Sequence, residues 1–234
     1  MSSPAITFAA AKTMAWSDAM VREVTVDSRG RANGVHYIDK TSRLDEHVSA
    51  RVVIVAASAC ESARILLNSK SASFPDGLGN GSGLVGKYVM DTVGAGVSGQ
   101  IPALENCPPH NTDGASGMHL YMPWWLYQEQ ARGQLDFARG YHIEFGGGRR
   151  MPGYGAFSGI EPLTEGSYGQ SFKDDCRRYY GSFMYFDGRG EMIPNEDSYC
   201  EINPDEVDQW GIPTLRFHWE WSEHELNQAR HMQH

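Results

Sequence analysis

The residues best suited to hold a ligand by chemistry and spacing are small and follow an apolar run. Val52 to Ala57 is continuously apolar, too short to span a membrane, and lacks the polar alternation of a strand with one wet face. This run predicts a strand buried on both faces, as in a parallel sheet. Ser58 and Ala59 extend the small-residue stretch where a ligand can approach the backbone, and Ser62 is predicted to cap the next helix.

A strand, a small-residue turn and a helix in this order have two interpretations. Ligands bind beyond the carboxyl ends of parallel strands, so the unit suits one half of a dinucleotide site. An ordinary strand–helix unit without a ligand has the same pattern. The segment alone does not separate the two.

Three other groups suit a sugar-like ligand. Trp124 and Trp125 offer ring faces that complement the apolar C–H surface of a sugar, although core packing produces the same pattern. His142 and Glu144 lie on a predicted strand, where the carboxylate either positions a substrate hydroxyl or pairs with the histidine in the core. Arg149 follows three glycines and either binds a phosphate or sugar carboxylate or is a solvated loop residue.

The histidines and cysteines do not have the spacing of a metal centre. His224, His231 and His234 share a helical face, whereas a zinc motif places two histidines four residues apart beside a carboxylate. The 4 cysteines are widely spaced and contain no Cys-x-x-Cys pair. We therefore predict no metal site, and free thiols rather than a disulfide.

Composition argues against several partner classes. A net charge of -9 and a pI near 5.4 disfavour nucleic acid and anionic membranes. No run of about 18 apolar residues is present, so no membrane span is predicted. Residues 1–11 lack the basic region and apolar length of a signal peptide, and localisation stays open between cytoplasm and periplasm.

The segment Ala57–Leu67 resembles the second signature of the glucose-methanol-choline (GMC) flavoprotein oxidoreductases. That signature usually has Ala-Gly-Ala, two variable residues, Ser-Pro-Arg and then leucines. This chain has Ser58 in place of the glycine and Ala63 in place of the proline. Both replacements are small, so the turn is expected to persist.

Two further segments resemble the family in order and spacing. Gly30–Val35 lies upstream of the signature and Gly83–Asp91 lies downstream. The family often ends the second of these with Asp-His, whereas this chain has Asp91 followed by Thr92. The sugar and sugar-acid dehydrogenase branch is the most similar.

The resemblance implies FAD as the cofactor and hydride transfer from a CH–OH group of an alcohol, sugar or sugar acid to the flavin. We expect cofactor contacts from Met20, Val21, Ala57, Ser58, Ala59, Glu61, Asp91 and Thr92. We expect substrate contacts from Trp124, Trp125, His142, Glu144 and Arg149. A separate electron-acceptor protein is a possible partner.

The family's pyrophosphate-binding glycine motif and its catalytic histidine have no match in these 234 residues. We therefore assign no catalytic residue within the chain. The chain is interpreted as the central part of a longer enzyme, and we expect these 234 residues alone to be inactive.

The expected fold is α/β plus α+β. A partial Rossmann-like FAD-binding domain is predicted over residues 1–93, joined to an antiparallel-sheet substrate-binding domain over 94–234. The first contains strands at 20–27, 34–39 and 47–57. Strands of the second are predicted at 117–122, 139–146, 180–187, 198–203 and 214–221, before a helix that begins with a capping box at Ser222.

A second class of function is also compatible with the sequence. An aromatic-rich antiparallel sheet suits a carbohydrate-binding or structural module that performs no chemistry. The three ordered segments that resemble the flavoprotein family favour the enzyme.

Overall fold

The computed structural model describes residues 16–108, 120–148, 157 and 160–234. In chain order the elements are β1 (Ala19–Val26), β2 (Ala32–Asp39), β3 (Asp45–Ser49), α1 (Ala59–Asn68), β4 (Thr92–Gln100), β5 (Leu120–Met122), α2 (Tyr127–Ala131), β6 (Tyr141–Gly147), α3 (Gly169–Tyr179), β7 (Phe183–Glu191), β8 (Tyr199–Val207), β9 (Pro213–His218) and α4 (Glu223–Met232). Short 3₁₀ turns occupy Pro102–Leu104 and Glu161–Leu163.

The chain divides into two compact units. The first contains residues up to Met90 together with Pro194–Glu220, and the second contains Asp91–Ile193 and Trp221–His234. The change of unit after Met90 lies close to the predicted border at residue 93. Residues 194–220, however, were expected in the second domain and belong to the first unit.

The first unit contains an antiparallel sheet in which β1, β2 and β3 pair in chain order. The tight connection between β1 and β2 depends on Asp27, whose carboxylate accepts hydrogen bonds from the backbone N–H groups of Arg29 and Arg31, both at 2.9 Å. Gly30 adopts a φ of 73°, which glycine tolerates. The first two predicted strands are confirmed, but β3 ends at Ser49 and does not continue into the apolar run.

Residues 51–57 form no strand in the described structure. Val53, Val55 and Ala57 pack against a buried cluster, while Val52 and Ile54 are 71% and 83% exposed. That cluster consists of Val24, Val35 and Ile65. The predicted strand with two buried faces is therefore wrong for this structure, because alternate side chains meet a core on one side only.

Helix α1 follows directly and begins before the predicted cap. Ser58, not Ser62, is the N-cap residue, and its side chain makes no capping hydrogen bond. At the other end the Ser69 hydroxyl accepts a hydrogen bond from the backbone N–H of Val24 at 2.8 Å and donates one to the Ile65 carbonyl at 2.6 Å. These bonds join the end of α1 to β1.

Strands β8 and β9 form a ribbon that belongs to the first unit, where Arg64 of α1 contacts it. The Arg64 guanidinium donates to the carbonyls of Pro213 and Ile212 at 2.7 and 2.9 Å, and it lies 2.8 Å from the Asp208 carboxylate. Burial alone raises the pKa of Asp208, but hydrogen bonds from Arg64 and from backbone N–H groups outweigh it and lower that pKa. This contact between distant residues explains why 194–220 do not join the second unit.

The second unit is organised around a four-stranded antiparallel sheet in the order β4-β7-β6-β5. One face packs on α4: a side chain at Gly188 or Gly190 would overlap Met232 or Gln228 of that helix. The buried core on this side consists of Val93, Phe137, Tyr141, Met192 and Met232. The strands predicted at 117–122, 139–146 and 180–187 overlap β5, β6 and β7 of this sheet, whereas those predicted at 198–203 and 214–221 form the separate β8–β9 ribbon.

The capping box of α4 is also confirmed. Ser222 accepts a hydrogen bond from the backbone N–H of His224, and Glu225 accepts one from the backbone N–H of Ser222 at 2.8 Å. The helix begins at Glu223 and ends at Met232. In the part of the chain that the structure describes, no helix is long and apolar enough to cross a membrane.

Candidate functional site

The turn at residues 57–59 owes its shape to the backbone. Ser58 has a φ of 74° and a ψ of 171°, a region that almost only glycine adopts without strain. The Ser62 hydroxyl accepts a hydrogen bond from the backbone N–H of Ala57 at 3.1 Å, which holds the turn against the first turn of α1. The positive φ accounts for the glycine that the resembled signature places at this position.

The other expected cofactor residues of the first unit lie nearby in the fold. Met20 and Val21 belong to β1, where they pair with Ile38 and Tyr37 of β2. Val21 packs against the same buried cluster as Ala57. Glu61 lies in the first turn of α1, with its carboxylate 3.4 Å from the Arg64 guanidinium.

Asp91 and Thr92 belong to the second unit instead. The Asp91 carboxylate accepts a hydrogen bond from the backbone N–H of Thr92 at 2.7 Å. Thr92 is the first residue of β4 and lies opposite Glu191 of β7. Both side chains are exposed.

A polar cluster forms on the sheet of the second unit, which we name the charged face. It consists of His142, Glu144, Asp187 and Arg189. Register places Glu144 opposite Asp187 and His142 opposite Arg189. Directly opposed residues project their side chains to the same side of an antiparallel sheet, so the four share one face.

Short contacts link the members of the charged face. The Nε2 atom of His142 lies 3.1 Å from Oε1 of Glu144, and Nε of Arg189 lies 3.6 Å from Oε2 of the same carboxylate. The Nη2 atom of Arg189 is 3.9 Å from Oδ2 of Asp187. The four side chains are between 20% and 43% exposed, so a ligand can reach them.

Two glycines of β4 make room for these side chains. A side chain at Gly94 would begin 2.8 Å from Nη1 of Arg189, and one at Gly96 would overlap the Asp187 carboxylate. On the other side of the cluster, the Tyr121 ring of β5 contacts the His142 ring edge-on, with the ring centroids 5.8 Å apart. The charged face therefore has an aromatic border along β5.

Trp124 and Trp125 differ in their surroundings. Trp124 packs against the core cluster and donates a hydrogen bond from Nε1 to Gln130 at 3.2 Å. For this residue the structure agrees with core packing. Trp125 is 43% exposed, with its ring centroid 5.7 Å from that of Tyr141. The structure does not place either ring on the charged face, and Arg149 lies outside the described residues.

Burial also raises the pKa of two groups away from the charged face. The Tyr141 hydroxyl lies on the α4 side of the sheet, 2.7 Å from Nδ1 of His231, and desolvation raises its pKa. Desolvation and the nearby Cys60 thiol raise the pKa of Cys200. All four cysteines are free thiols.

Sequence reasoning missed Asp187 and Arg189. The predicted strand at 180–187 stopped short of the arginine, and β7 continues to Glu191. Alternation along β7, with Tyr185, Asp187 and Arg189 separated by Phe186 and Gly188, is the signal that identifies a polar face. Only the strand register shows that this face adjoins His142 and Glu144.

The charged face offers two carboxylates, an imidazole and a guanidinium in one layer. Carboxylates accept hydrogen bonds from hydroxyl groups, and the guanidinium donates them. Such a layer can orient a ligand rich in hydroxyl groups. Across the described ranges, no group of three or more histidine, cysteine, aspartate or glutamate side chains is arranged to hold a metal ion.

Sequence comparison finds relatives over most of the chain. It is 28% identical over 203 residues to 2-methyl-1,2-propanediol dehydrogenase of Mycolicibacterium austroafricanum, across 86% of this chain and 35% of the relative. It is 23% identical over 200 residues to the fructose dehydrogenase large subunit of Gluconobacter japonicus, across 84% of this chain and 34% of the relative. The chain therefore spans about a third of the length of these two relatives.

Over a shorter region the identity to another relative is higher. Over 77 residues the chain is 38% identical to paromamine 6'-oxidase of Streptomyces fradiae, across 33% of this chain and 14% of the relative. No protein-family model matches the chain. The relatives are named as alcohol or sugar dehydrogenases and as oxidases, so the chain is related to oxidoreductases.

Proposed function

We propose that the protein takes part in FAD-dependent oxidation of a CH–OH group in an alcohol or sugar, as a GMC-type oxidoreductase. The observation that carries the proposal is the kinship with named dehydrogenases across most of the chain. It favours an enzyme over a binding module without chemistry. The resemblance of residues 57–67 to the flavoprotein signature supplies the choice of cofactor.

The turn at residues 57–59 is compatible with FAD. Ala57, Ser58 and Ala59 have small side chains, and the positive φ of Ser58 turns the backbone between the apolar segment and α1. We propose that this turn lies against the adenosine half of the cofactor, with backbone groups of Met20 and Val21 beside the adenine. When bound, FAD would supply a hydride acceptor for the carbinol carbon.

The charged face is proposed to orient the substrate. Glu144 and Asp187 would accept hydrogen bonds from substrate hydroxyl groups, and Arg189 would hold both carboxylates in place. No residue of this chain is proposed as the base that receives the hydroxyl proton. A separate electron-acceptor protein is a further proposal, which the resemblance suggests.

A bulky residue in the turn tests the cofactor assignment. In protein expressed from its complete reading frame, Ser58→Trp should block FAD loading, because the indole would fill the space beside the backbone. Ser58→Gly is the matched control and should load normally, since glycine favours the observed φ. The flavin content of each purified protein, measured by absorbance, decides the outcome; full loading of Ser58→Trp would refute the placement.

A further inference from the structure

The described part of the first unit contains two free thiols, Cys60 and Cys200. Cys60 lies in the first turn of α1 and is exposed. Cys200 lies in β8 and is only 5% exposed. The proposed function uses neither thiol. Whether the two can react with each other depends on how α1 packs against the β8–β9 ribbon.

The side of α1 that carries Cys60 faces the ribbon. Residues 60, 64 and 68 follow one another in steps of four, so they share one side of the helix. Arg64 donates a hydrogen bond from Nε to the Pro213 carbonyl at 2.7 Å, and Asn68 donates one from Nδ2 to the same carbonyl at 3.3 Å. Cys60 is therefore directed towards the ribbon one turn before Arg64.

Cys200 lies on the strand that α1 approaches. Cα atoms of α1 and β8 come within 8 Å of each other, and disulfides join Cα atoms about 4.4–6.8 Å apart. Desolvation raises the pKa of Cys200, and the charge of Cys60 raises it further. Because the effect of a charge falls with distance, this influence indicates that the two sulfur atoms are near each other.

We propose that Cys60 is a site of oxidative modification, at which a hydroperoxide oxidises the thiolate and Cys200 then closes a disulfide with it. In the first step the sulfur of Cys60 attacks hydrogen peroxide, the O–O bond breaks, and a sulfenic acid and water form. In the second step the sulfur of Cys200 attacks that of Cys60. The S–S bond forms, the S–O bond breaks, and the oxygen leaves as water with the proton of the Cys200 thiol. The two thiols lose two electrons, which reduce the peroxide to water.

The surroundings of the two thiols decide which one reacts with the peroxide. Cys60 is exposed, so the oxidant can reach it. Cys200 is buried, and its raised pKa keeps it as a thiol, which is the unreactive form. The resulting bond would join the first turn of α1, directly after the turn at residues 57–59, to β8. The inference goes beyond the proposed function and does not depend on it, since it needs neither flavin nor substrate.

Peptide mapping tests the inference in protein expressed from its complete reading frame. Reduced protein is treated with hydrogen peroxide, remaining thiols are alkylated, and trypsin is added without reductant. Each of the two cysteines falls in its own tryptic peptide, residues 52–64 and residues 190–216. We expect the cross-linked pair of these peptides to increase at least about tenfold over untreated protein, and dithiothreitol to reverse it.

Variants separate the roles of the two thiols. Cys200→Ser should leave Cys60 as a sulfenic acid that dimedone traps, and Cys60→Ser should leave Cys200 unoxidised. Cys176→Ser is the matched control, because it removes a half-buried free thiol of the second unit and should cross-link as wild type does.

The result in wild-type protein decides the inference without relying on the folding of any variant. If Cys60 is recovered as a sulfenic acid, joined to another cysteine or unoxidised, while no peptide joins it to Cys200, the inference is wrong. Oxidation of Cys200 to the same extent in Cys60→Ser would also contradict it. The proposed function stands in either case, because it is tested by flavin loading.

Discussion

The turn at residues 57–59 and the charged face are constructed in different ways. The turn consists of consecutive residues, and its shape depends on one backbone angle at Ser58 and on the packing of α1. The charged face consists of side chains from β6 and β7, and its shape depends on strand register and on glycines in β4. One is set locally, and the other requires residues far apart in the chain.

This difference predicts which substitutions matter in each region. The turn should respond to changes that release α1 or relax the backbone, even when these changes lie away from Ser58. The charged face should respond to bulk on β4 and to the support that α4 gives the other side of the sheet.

The largest expected effect is the loss of Arg64, which holds α1 to the β8–β9 ribbon. Arg64→Ala removes a partly buried ion pair with Asp208 and two hydrogen bonds to carbonyl groups. We expect the free energy of unfolding to fall by about 3 kcal/mol, because the Asp208 carboxylate loses its partner. Urea denaturation of the purified chain measures it.

A surface arginine provides the control. Arg31→Ala breaks a pair with Asp27 in which the arginine side chain is 70% exposed, so the cost should be below about 1 kcal/mol. Equal effects of the two substitutions would show that Arg64 does not anchor the helix that follows the turn.

A smaller effect is expected from bulk on β4. A side chain at Gly96 would overlap the Asp187 carboxylate, whereas one at Gly99 meets nothing within 4 Å. Gly96→Ala should therefore cost about 1–3 kcal/mol of unfolding free energy. Gly99→Ala should be close to neutral. If thermal and urea denaturation give the same stability for both variants, the Asp187 side chain does not occupy the space beside Gly96.

The same contrast explains how much the sequence predicts. The turn was located because its residues are adjacent and resemble a known signature. The identity of the N-cap residue was missed, since Ser58 occupies a backbone region that its residue type rarely adopts. Cross-strand register cannot be deduced from one strand, so His142 and Glu144 were selected without their partners Asp187 and Arg189.

Sequence patterns also did not predict the contacts between residues that are far apart in the chain. The sequence predicted strands at 198–203 and 214–221, but not that Arg64 would hold the β8–β9 ribbon to α1. The apolar run at 52–57 predicted burial, and hydrophobicity alone does not tell whether one or both faces are covered. In the described structure only one is, as the exposure of Val52 and Ile54 shows.

Acid should weaken the packing of α4 under the sheet that carries the charged face, because it protonates Glu225 of that helix. Burial raises the pKa of this carboxyl, but hydrogen bonds from Ser222 and from the backbone N–H of Ile193 outweigh it and lower the pKa below the ordinary 4.5. Because the folded-state pKa is the lower one, the stabilisation is present above about pH 4.5 and is lost as pH falls through the folded-state value.

The measurement compares wild type with Glu225→Gln by urea denaturation from pH 7 to pH 3. The gap in unfolding free energy should narrow below pH 4.5, by up to about 1.4 kcal/mol per pH unit. Glu223→Gln changes an 80% exposed carboxylate and should show no such narrowing. If the difference in unfolding free energy between wild type and Glu225→Gln does not change with pH, Glu225 does not have a lowered pKa in the folded protein.

The smallest expected effect concerns the backbone of the turn. Ser58→Gly removes the strain of a β-carbon at a φ of 74° and a ψ of 171°, and it gives up little because the serine side chain makes no capping hydrogen bond. The greater freedom of glycine in the unfolded chain offsets part of the gain. We expect a net stabilisation of about 0.5–1 kcal/mol by thermal denaturation, whereas Ser58→Ala keeps the strain and should be neutral. Glycine usually destabilises a protein when it replaces a residue in an ordinary backbone region. If Ser58→Gly shows such a loss of stability, the turn does not adopt the glycine-like conformation. The proposed assignment of this turn to the cofactor would then lose its basis.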